Sequence, residues 1–396
     1  MAGIYIHIPF CRQACSYCNF HFSVSLKNKD AFVNALLKEI DLRKDYLAHE
    51  KIETIYFGGG TPSLLSSDEV NRIVEKLNAV FPVAPDAEIT LEANPDDLTG
   101  LKIRELKATP VNRFSIGIQS FHDDDLHFLN RAHHSQQAES SVRLAQEAGF
   151  ENITIDLIYG IPMKEQEAKG KRQEKNNSSF VPAKRGHSSF EYNLAKLAKL
   201  GIPHFSAYCL TIEPKTILEK MIREKKSPDV NEADAAHQFE MLMDFAEENG
   251  YEHYEISNFA KAGFYSRHNT SYWTGKKYLG LGPSAHSYDG VSRQWNIASN
   301  ARYIQSLEKG ELPFEKETLS ENDRFNEYIM LSLRTKWGVD KKIMKQIFQE
   351  EKLKSFEKTV SNYLADDWLV CENEKITLSR KGKLIADRII SGLFET

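Results

Sequence analysis

Short runs of alternating or continuous apolar residues recur six times in the first half of the chain, and most are followed by an amphipathic segment. The runs cover residues 4–8, 54–57, 88–92, 113–118, 153–159 and 204–210. Between them, segments such as residues 67–81 repeat apolar positions at helical spacing. Alternation of strand and helix predicts a parallel sheet covered by helices. This pattern leaves an open six-stranded sheet and a partial (β/α) barrel as alternatives.

The alternation of predicted strands and helices is interrupted at three places, and these interruptions predict the domain organisation. Residues 164–189 are rich in charged residues, Asn and Ser, which is typical of a solvated or disordered insertion. Residues 1–258 are otherwise predicted to form the α/β domain. Residues 259–320 are predicted to be a loop-rich connecting region, dense in aromatic residues and glycine. Helices, a small hairpin and a final helix predict a winged-helix-like domain over residues 321–396.

Composition excludes several classes of protein from first consideration. The chain has 396 residues, a formal net charge of −5 and a pI near 6.3. This acidic balance gives no reason to expect a nucleic-acid partner, since phosphate binding needs a basic face. No apolar run approaches the roughly 18 residues of a membrane span, and the N-terminus lacks the pattern of a secretory signal. We therefore expect a cytoplasmic protein without an integral membrane segment.

Three of the five cysteines, Cys11, Cys15 and Cys18, lie within eight positions just after the first predicted strand. Clustering of this kind indicates metal ligands rather than a disulfide framework. Three thiolates suit one face of an iron–sulfur cluster and leave one iron open. Zinc is the alternative, with His21 as a nearby fourth ligand. The other two cysteines are predicted to be buried, inert thiols, namely Cys209 and Cys371.

Further polar and glycine positions fall at the ends of predicted strands. A glycine-rich turn at residues 56–62 allows the backbone to approach a ligand closely. Glu92, Gln119, Arg131 and Asp156 stand at or just beyond the ends of later strands. Because ligands of parallel α/β folds bind at the carboxyl ends of the strands, these residues are predicted to ring one barrel mouth. Carboxylates suit hydroxyl and ammonium groups, and Arg131 suits a carboxylate.

Together, these motifs resemble the radical S-adenosylmethionine (SAM) superfamily, and within it the family of oxygen-independent coproporphyrinogen III oxidases and their relatives. The resemblance implies a partial (β/α)6, TIM-like barrel that holds a [4Fe–4S] cluster through Cys11, Cys15 and Cys18. In such proteins SAM chelates the open iron, and the reduced cluster cleaves it to a 5′-deoxyadenosyl radical. By this resemblance the SAM pocket would be lined by Tyr5, Tyr17, Gly59, Gly60, Thr61, Glu92, Gln119, Arg131 and Asp156.

The family has at least two branches, the decarboxylases of coproporphyrinogen III and the heme chaperones, HemW. Decarboxylases usually carry a further cysteine where this chain has Phe20, and an N-terminal extension precedes their cluster motif. Residues 267–273 match the HNxxYW motif associated with the chaperones. By this resemblance His268 would ligate heme iron, and Tyr272 and Trp273 would offer flat apolar surface. Spacing alone favours an ordinary loop histidine, and His286 is a second candidate ligand.

The sequence therefore predicts a heme chaperone with a [4Fe–4S] cluster, SAM and heme as its bound groups. Its expected partners are heme and apo-hemoprotein acceptors, and the family resemblance adds a homodimer. The alternative is an oxygen-independent coproporphyrinogen III oxidase that forms protoporphyrinogen IX. A third hypothesis is an interaction module on an inactive radical SAM scaffold, which would neither bind heme nor cleave SAM.

Overall fold

Six parallel strands in sequential order form the centre of the structure, a computed structural model that describes residues 1–162 and 187–395. Each strand pairs in parallel with the next along the chain. All six strands predicted from the apolar runs are therefore confirmed. They are β1 (Ala2–Ile8), β2 (Ile52–Gly59), β3 (Val83–Ala93), β4 (Arg113–Gln119), β5 (Asn152–Tyr159) and β6 (His204–Cys209).

Helices lie between consecutive strands and cover the outside of the sheet. The helix over Ser67–Val80 begins with a reciprocal capping box, in which the Ser66 side chain accepts from Glu69 N and the Glu69 side chain accepts from Ser66 N. Most of the insertion predicted at residues 164–189 lies outside the described residues. The helices up to the sixth strand are α1 (Lys29–Leu42), α2 (Ser67–Val80), α3 (Gly100–Lys107), α4 (Asp123–Phe128), α5 (Ser135–Glu147) and α6 (His187–Leu200).

Further strands extend the sheet at both edges and leave it open. β6 pairs with β8 and not with β1, while the free edge of β1 pairs with β9. The partial barrel is therefore confirmed. The added elements are α7 (Ile217–Arg223), α8 (Glu232–Glu248), β7 (Glu252–Glu255), β8 (Asn258–Ala260), α9 (Arg267–Trp273), β9 (Lys277–Leu281), β10 (His286–Tyr288), β11 (Ser292–Asn296), α10 (Asn300–Glu308) and β12 (Phe314–Thr318).

The last part of the chain builds a second hydrophobic core of its own. Helices surround a small antiparallel sheet in the strand order β13, β15, β14, which confirms the predicted helical C-terminal domain with a hairpin. Among the described helices, none is long and apolar enough to cross a membrane. The elements are α11 (Glu321–Leu333), β13 (Val339–Asp340), α12 (Lys341–Ile347), α13 (Glu350–Ala365), β14 (Leu369–Glu372), β15 (Lys375–Leu378), α14 (Arg380–Lys383) and α15 (Ala386–Ser391).

Candidate functional site

A cavity of about 400 Å³ lies at the carboxyl ends of the parallel strands, and the cysteine loop forms one of its walls. Tyr5 lies outside this lining, deeper in the barrel, where its ring stacks on Tyr56 at a centroid distance of 6.1 Å. The other residues of the predicted SAM pocket line the cavity beside the three clustered cysteines, although Arg131, which was expected at or just beyond a strand end, instead follows α4. They are Tyr17, Gly59, Gly60, Thr61, Glu92, Gln119, Arg131 and Asp156.

The cysteine loop is closed by one main-chain hydrogen bond of its own and anchored by two more to other parts of the structure. Cys11 N donates to Ser23 O at 3.0 Å, which closes the loop on itself. Ser16 N donates to Leu129 O at 3.0 Å, and Ser16 O accepts from Leu218 N at 2.7 Å. The three thiols are free and only partly buried. The fold therefore presents three accessible thiols on one anchored loop.

Arg131 connects this loop to the strand ends. Its Nη1 donates to Cys15 Sγ at 3.2 Å, and its Nη2 donates to Asn94 Oδ1 and Gly117 O, both at 2.7 Å. The buried Nε has no hydrogen-bond partner among the described residues. A guanidinium N–H pairs strongly with an anionic acceptor, and an unpartnered buried N–H suits one more acceptor. The donor set therefore fits both a thiolate-bound cluster and an anionic group of a bound ligand.

The zinc alternative finds no support in the position of His21. Its Nε2 lies 2.7 Å from Asn300 Oδ1. Within the described ranges, no three His, Cys, Asp or Glu residues are placed to hold a single metal ion. Burial raises the pKa of Cys11 to about 11 and also raises the pKa of Cys18. Because only thiolates bind a cluster, assembly must release protons from these thiols.

Two carboxyl groups face the cavity with different hydrogen-bond partners. Glu92 accepts from Tyr56 OH at 2.8 Å and from Gly59 N at 3.2 Å, while Asp156 accepts from Ser115 Oγ at 3.2 Å. Burial raises the pKa of Glu92 to about 8, and the negative charge of Asp156 adds to the effect. Burial also raises the pKa of Asp156 to about 6. A positively charged ligand would favour the ionised form of both groups.

The glycine-rich turn requires glycine for two physical reasons. Gly59 has a φ of +107°, and a Cβ there would lie 2.7 Å from the His7 ring. A Cβ on Gly60 would lie 2.6 Å from Phe10 O. The turn thus packs against β1 and the residues that follow it more closely than any side chain would allow. Gln119, at the end of β4, has a φ of +66°, a conformation that non-glycine residues adopt mainly where the surroundings enforce it.

His268 lies on α9, close to the amino ends of β1 and β2, rather than in a loop. Its Nδ1 is 2.7 Å from Thr54 Oγ1, its Nε2 is 2.9 Å from Tyr272 OH, and the residue is 1% exposed. Its ring stacks on Tyr56 at 5.0 Å. Burial lowers the pKa of His268 to about 3, so the ring is neutral. Heme ligation by His268 stays a prediction, and it would require this helix to move.

The predicted burial of Cys209 and Cys371 is wrong, since both are exposed. Cys209 ends β6, where the strand leaves the sheet, and its side chain joins the lining of the cavity. Cys371 lies on β14, an edge strand of the small sheet. Sequence reasoning also missed other residues of the cavity, and four of them belong to β3, β4 and β6 or directly follow one of these strands. They are Asn94, Ser115, Gly117 and Tyr208.

Known proteins with similar sequences identify the family of the chain. Residues 5–169 match the Radical SAM superfamily and residues 319–385 match the HemN C-terminal domain. The chain is 32% identical to the heme chaperone HemW of Bacillus subtilis (strain 168), over 98% of both chains. It is 33% identical to that of Lactococcus lactis, over 96% of this chain and 93% of the relative.

Among solved structures, coproporphyrinogen III oxidase (HemN) from Escherichia coli has the same fold. The TM-score is 0.80 at 23% identity, and the match covers 99% of this chain and 90% of that protein. The C-terminal domain is included in this match, so the likeness is not limited to the barrel. Full-length identity above 30% to curated heme chaperones nevertheless places the chain in one branch. The chain belongs to the HemW family of radical SAM proteins.

Proposed function

We propose that the protein is a heme chaperone that binds heme and delivers it to apo-hemoproteins, with a [4Fe–4S] cluster and SAM in its barrel. The relatives from Bacillus subtilis and Lactococcus lactis, which are similar over nearly their full length, carry that name. The observation that carries the proposal is Phe20, which lines the cavity and is 66% exposed. Decarboxylases of the family usually have a cysteine at this position. An apolar aromatic surface there suits a porphyrin face.

In this proposal Cys11, Cys15 and Cys18 hold the cluster, which supplies one-electron chemistry when bound. Arg131 keeps a positive charge beside Cys15 and offers its Nε to a carboxylate of SAM. Glu92 and Asp156 accept hydrogen bonds from ammonium and hydroxyl groups. The remaining members of the predicted SAM site are Tyr5, Tyr17, Gly59, Gly60, Thr61 and Gln119.

An anaerobic heme titration of the cluster-reconstituted protein tests the proposal. We expect saturable binding of about one heme per chain, followed through the Soret absorbance, and transfer of that heme to apomyoglobin. A cluster-free sample shows whether the cluster supports this activity. Absence of saturable binding by the cluster-loaded protein would contradict the proposal.

The second candidate is the decarboxylase, favoured by the fold shared with coproporphyrinogen III oxidase and by the three cysteines that could hold a cluster. Anaerobic incubation with a reductant, SAM and coproporphyrinogen III separates the two functions. Formation of protoporphyrinogen IX would overturn the chaperone assignment. An inactive interaction module would show neither that product, nor SAM cleavage, nor heme binding.

Two further parts of the proposal rest on the family resemblance and on composition. The resemblance supports a homodimer, which sedimentation velocity of the cluster-loaded and cluster-free protein would detect. Composition supports a cytoplasmic location, which fractionation of the producing cells would test. Heme ligation through His268 is a separate hypothesis, and the variants described below test it.

A further inference from the structure

A second cavity, of about 180 Å³, lies where the large sheet meets the C-terminal domain, and we call it the junction cavity. None of its lining residues also lines the cavity beside the cysteine loop. Its walls come from β7 at the edge of the large sheet, from the segment after α11, and from β15 and α14. Cavities between domains are frequent ligand sites. The junction cavity is therefore a candidate binding site separate from those proposed for the cluster and SAM.

Lys383, the last residue of α14, is held at this cavity by a neutral acceptor. Its Nζ lies 3.1 Å from Nδ1 of His253 on β7. His253 Nε2 lies 3.1 Å from Ile256 O, which can only accept, so Nε2 carries the ring hydrogen and Nδ1 offers a lone pair to the ammonium group. The ring stacks on Phe259 at a centroid distance of 4.1 Å. Burial lowers the pKa of His253 to about 3, so the ring stays neutral.

The ammonium group of Lys383 has no counter-charge in the part of the chain that the structure describes. Its hydrogen-bond partner there is His253 alone, and it forms no ion pair. Three Lys and Arg side chains line the cavity against one carboxylate, and the others are already engaged by neighbouring residues. These contacts join Arg334 to Asp387, Lys336 to Glu252 and Asn258 to Glu255. A largely buried cation without an anionic partner is costly, so this arrangement favours an added anion.

We propose that the junction cavity binds a small oxyanion, a carboxylate or a phosphate, which accepts a hydrogen bond from Lys383 Nζ. The ligand is anionic because Lys383 lacks a counter-charge, and oxyanions form strong charge-assisted hydrogen bonds with an ammonium group. It is small because the cavity has room for about six water molecules. Thr377 on β15 offers a second donor, since its hydroxyl forms no hydrogen bond with any described residue. This site requires neither heme nor the cluster.

The protonation of Lys383 gives the site a dependence on pH. Burial lowers the pKa of Lys383 to about 8, and the positive charge of Arg380, which is itself bound to Asp244 Oδ1 at 2.5 Å, adds to the effect. The other titratable groups of the lining are the neutral His253 and the already engaged Arg334, Lys336 and Glu255. A bound oxyanion favours the protonated amine and raises this pKa. Binding should therefore be tightest below about pH 8 and weaken as the pH rises above this value.

An anion at this place would strengthen the contact between the two domains. Lys383 belongs to the C-terminal domain, whereas its partner His253 belongs to the large sheet. A ligand that binds only the folded junction stabilises the folded protein as its concentration rises. Thermal unfolding therefore reports the occupancy of the site.

The first test measures the reactivity of the Lys383 amine in the unaltered, cluster-reconstituted protein. Trace acetylation with acetic anhydride at about pH 8 is followed by peptide mass spectrometry, with phosphate replacing chloride at constant ionic strength. Saturating phosphate is expected to slow acetylation of Lys383 at least about fivefold, because a pKa raised by about one unit lowers the neutral fraction from about a half to about a tenth. Lys354, 73% exposed on α13, is the control and should react at an unchanged rate. A parallel series with formate distinguishes a carboxylate from a phosphate.

The second test removes the ammonium group. Lys383→Met keeps the apolar stem, and Lys354→Met is the matched control on the surface of the same domain. Phosphate is expected to raise the midpoint of thermal unfolding of the unaltered protein and of Lys354→Met by about 1–3 °C in a saturable manner. The midpoint of Lys383→Met should not respond to phosphate. Circular dichroism verifies that both variants keep the fold.

Selective protection of Lys383 by phosphate or formate supports the site, and the anion that protects at the lower concentration identifies the ligand class. Protection by neither anion, or equal protection of Lys354, overturns it. A thermal response of Lys383→Met equal to that of the unaltered protein overturns it as well. If Lys383→Met does not fold, the labelling of the unaltered protein decides by itself. None of these results depends on heme binding, so the proposed function is tested separately.

Discussion

Four thiols line the cavity, but only three of them lie on the loop that closes over it. Cys15 is beside the Arg131 guanidinium, whereas Cys209 is at the end of β6 and contacts Leu210 O. We expect Cys15→Ser to lose most of the reconstituted iron, because a four-iron cluster needs all three thiolates of the loop. Cys209→Ser should keep about four iron and four sulfide per chain. Chemical analysis of both variants checks this, and equal iron loss would contradict the assignment.

The carboxyl of Glu92 gives the site a dependence on pH. Burial raises its pKa from 4.5 to about 8, so between these values the folded protein holds a proton that the unfolded chain releases. The free energy of unfolding contributed by Glu92 therefore falls as pH rises through this window. Between pH 5 and pH 8, we expect the free energy of unfolding of the ligand-free protein to fall by about 2 kcal/mol more than that of Glu92→Gln. This figure allows for solvent in the cavity.

Urea unfolding of the ligand-free protein at several pH values measures this difference. Glu350→Gln is the control, since that side chain is 81% exposed. For this control, the free energy of unfolding should depend on pH in the same way as for the unaltered protein. If the free energy of unfolding of Glu92→Gln also shows the same pH dependence as that of the unaltered protein, Glu92 does not hold its proton at neutral pH.

The strand-end residues show how far sequence reasoning reaches at this scale. Glu92, Gln119 and Asp156 were predicted from their place at strand ends, and all three line the cavity. Asn94 and Ser115 were missed, although Asn94 lies two residues after Glu92 and Ser115 lies four residues before Gln119. Side chains two apart share one face of a strand, so this spacing was available as evidence. The pairing of Tyr56 with Glu92 depends on strand register, which the sequence does not give.

At the level of elements, α9 is a helix packed against the amino ends of β1 and β2, and not an open binding loop. Glu88 accepts from Arg267 N at 3.2 Å and from His268 N at 3.1 Å, so a carboxylate satisfies the helix N-terminus. We expect His268→Ala to lower the free energy of unfolding by about 2–4 kcal/mol, because it removes a buried, fully hydrogen-bonded ring. The exposed His286 is the matched control, and His286→Ala should change stability by less than about 0.5 kcal/mol.

Urea denaturation of the heme-free variants makes the comparison independent of any ligand. A large loss of stability in His268→Ala and none in His286→Ala would identify His268 as a structural residue. Unchanged stability in both variants would contradict the packed role and favour a histidine that is free to reach heme iron.

Elements formed by short strands were the hardest to predict. The region expected to be rich in loops contains β9, β10 and β11, of three to five residues each, and their apolar runs are too short for periodicity to be recognised. These strands are held against α1 by Glu39, which accepts from Asn296 Nδ2 at 2.7 Å and from Gly282 N at 2.8 Å. A buried glutamate on an amphipathic helix has no distinguishing pattern in sequence.

At the scale of the whole molecule, the barrel and the C-terminal domain have separate hydrophobic cores but share main-chain hydrogen bonds. Ile256 N donates to Arg334 O at 3.0 Å, and Lys336 N donates to Tyr254 O at 3.0 Å. Such pairing extends the barrel's edge into the segment after α11. A substitution that destabilises one core should therefore also destabilise the other, and the two cores should unfold in one cooperative transition.

Gly338 provides the test, because it lies two residues beyond this junction and within the C-terminal domain. Its φ is +65°, and a Cβ there would lie 2.3 Å from Ile376 O, so Gly338→Ala forces the backbone apart. We expect a cost of at least about 2 kcal/mol and a midpoint of thermal unfolding lowered by several degrees in one calorimetric transition. Gly310→Ala is the control, since Gly310 also has a positive φ, +78°, but has open space around it. Two transitions, of which only one moves in Gly338→Ala, would show that the cores unfold independently.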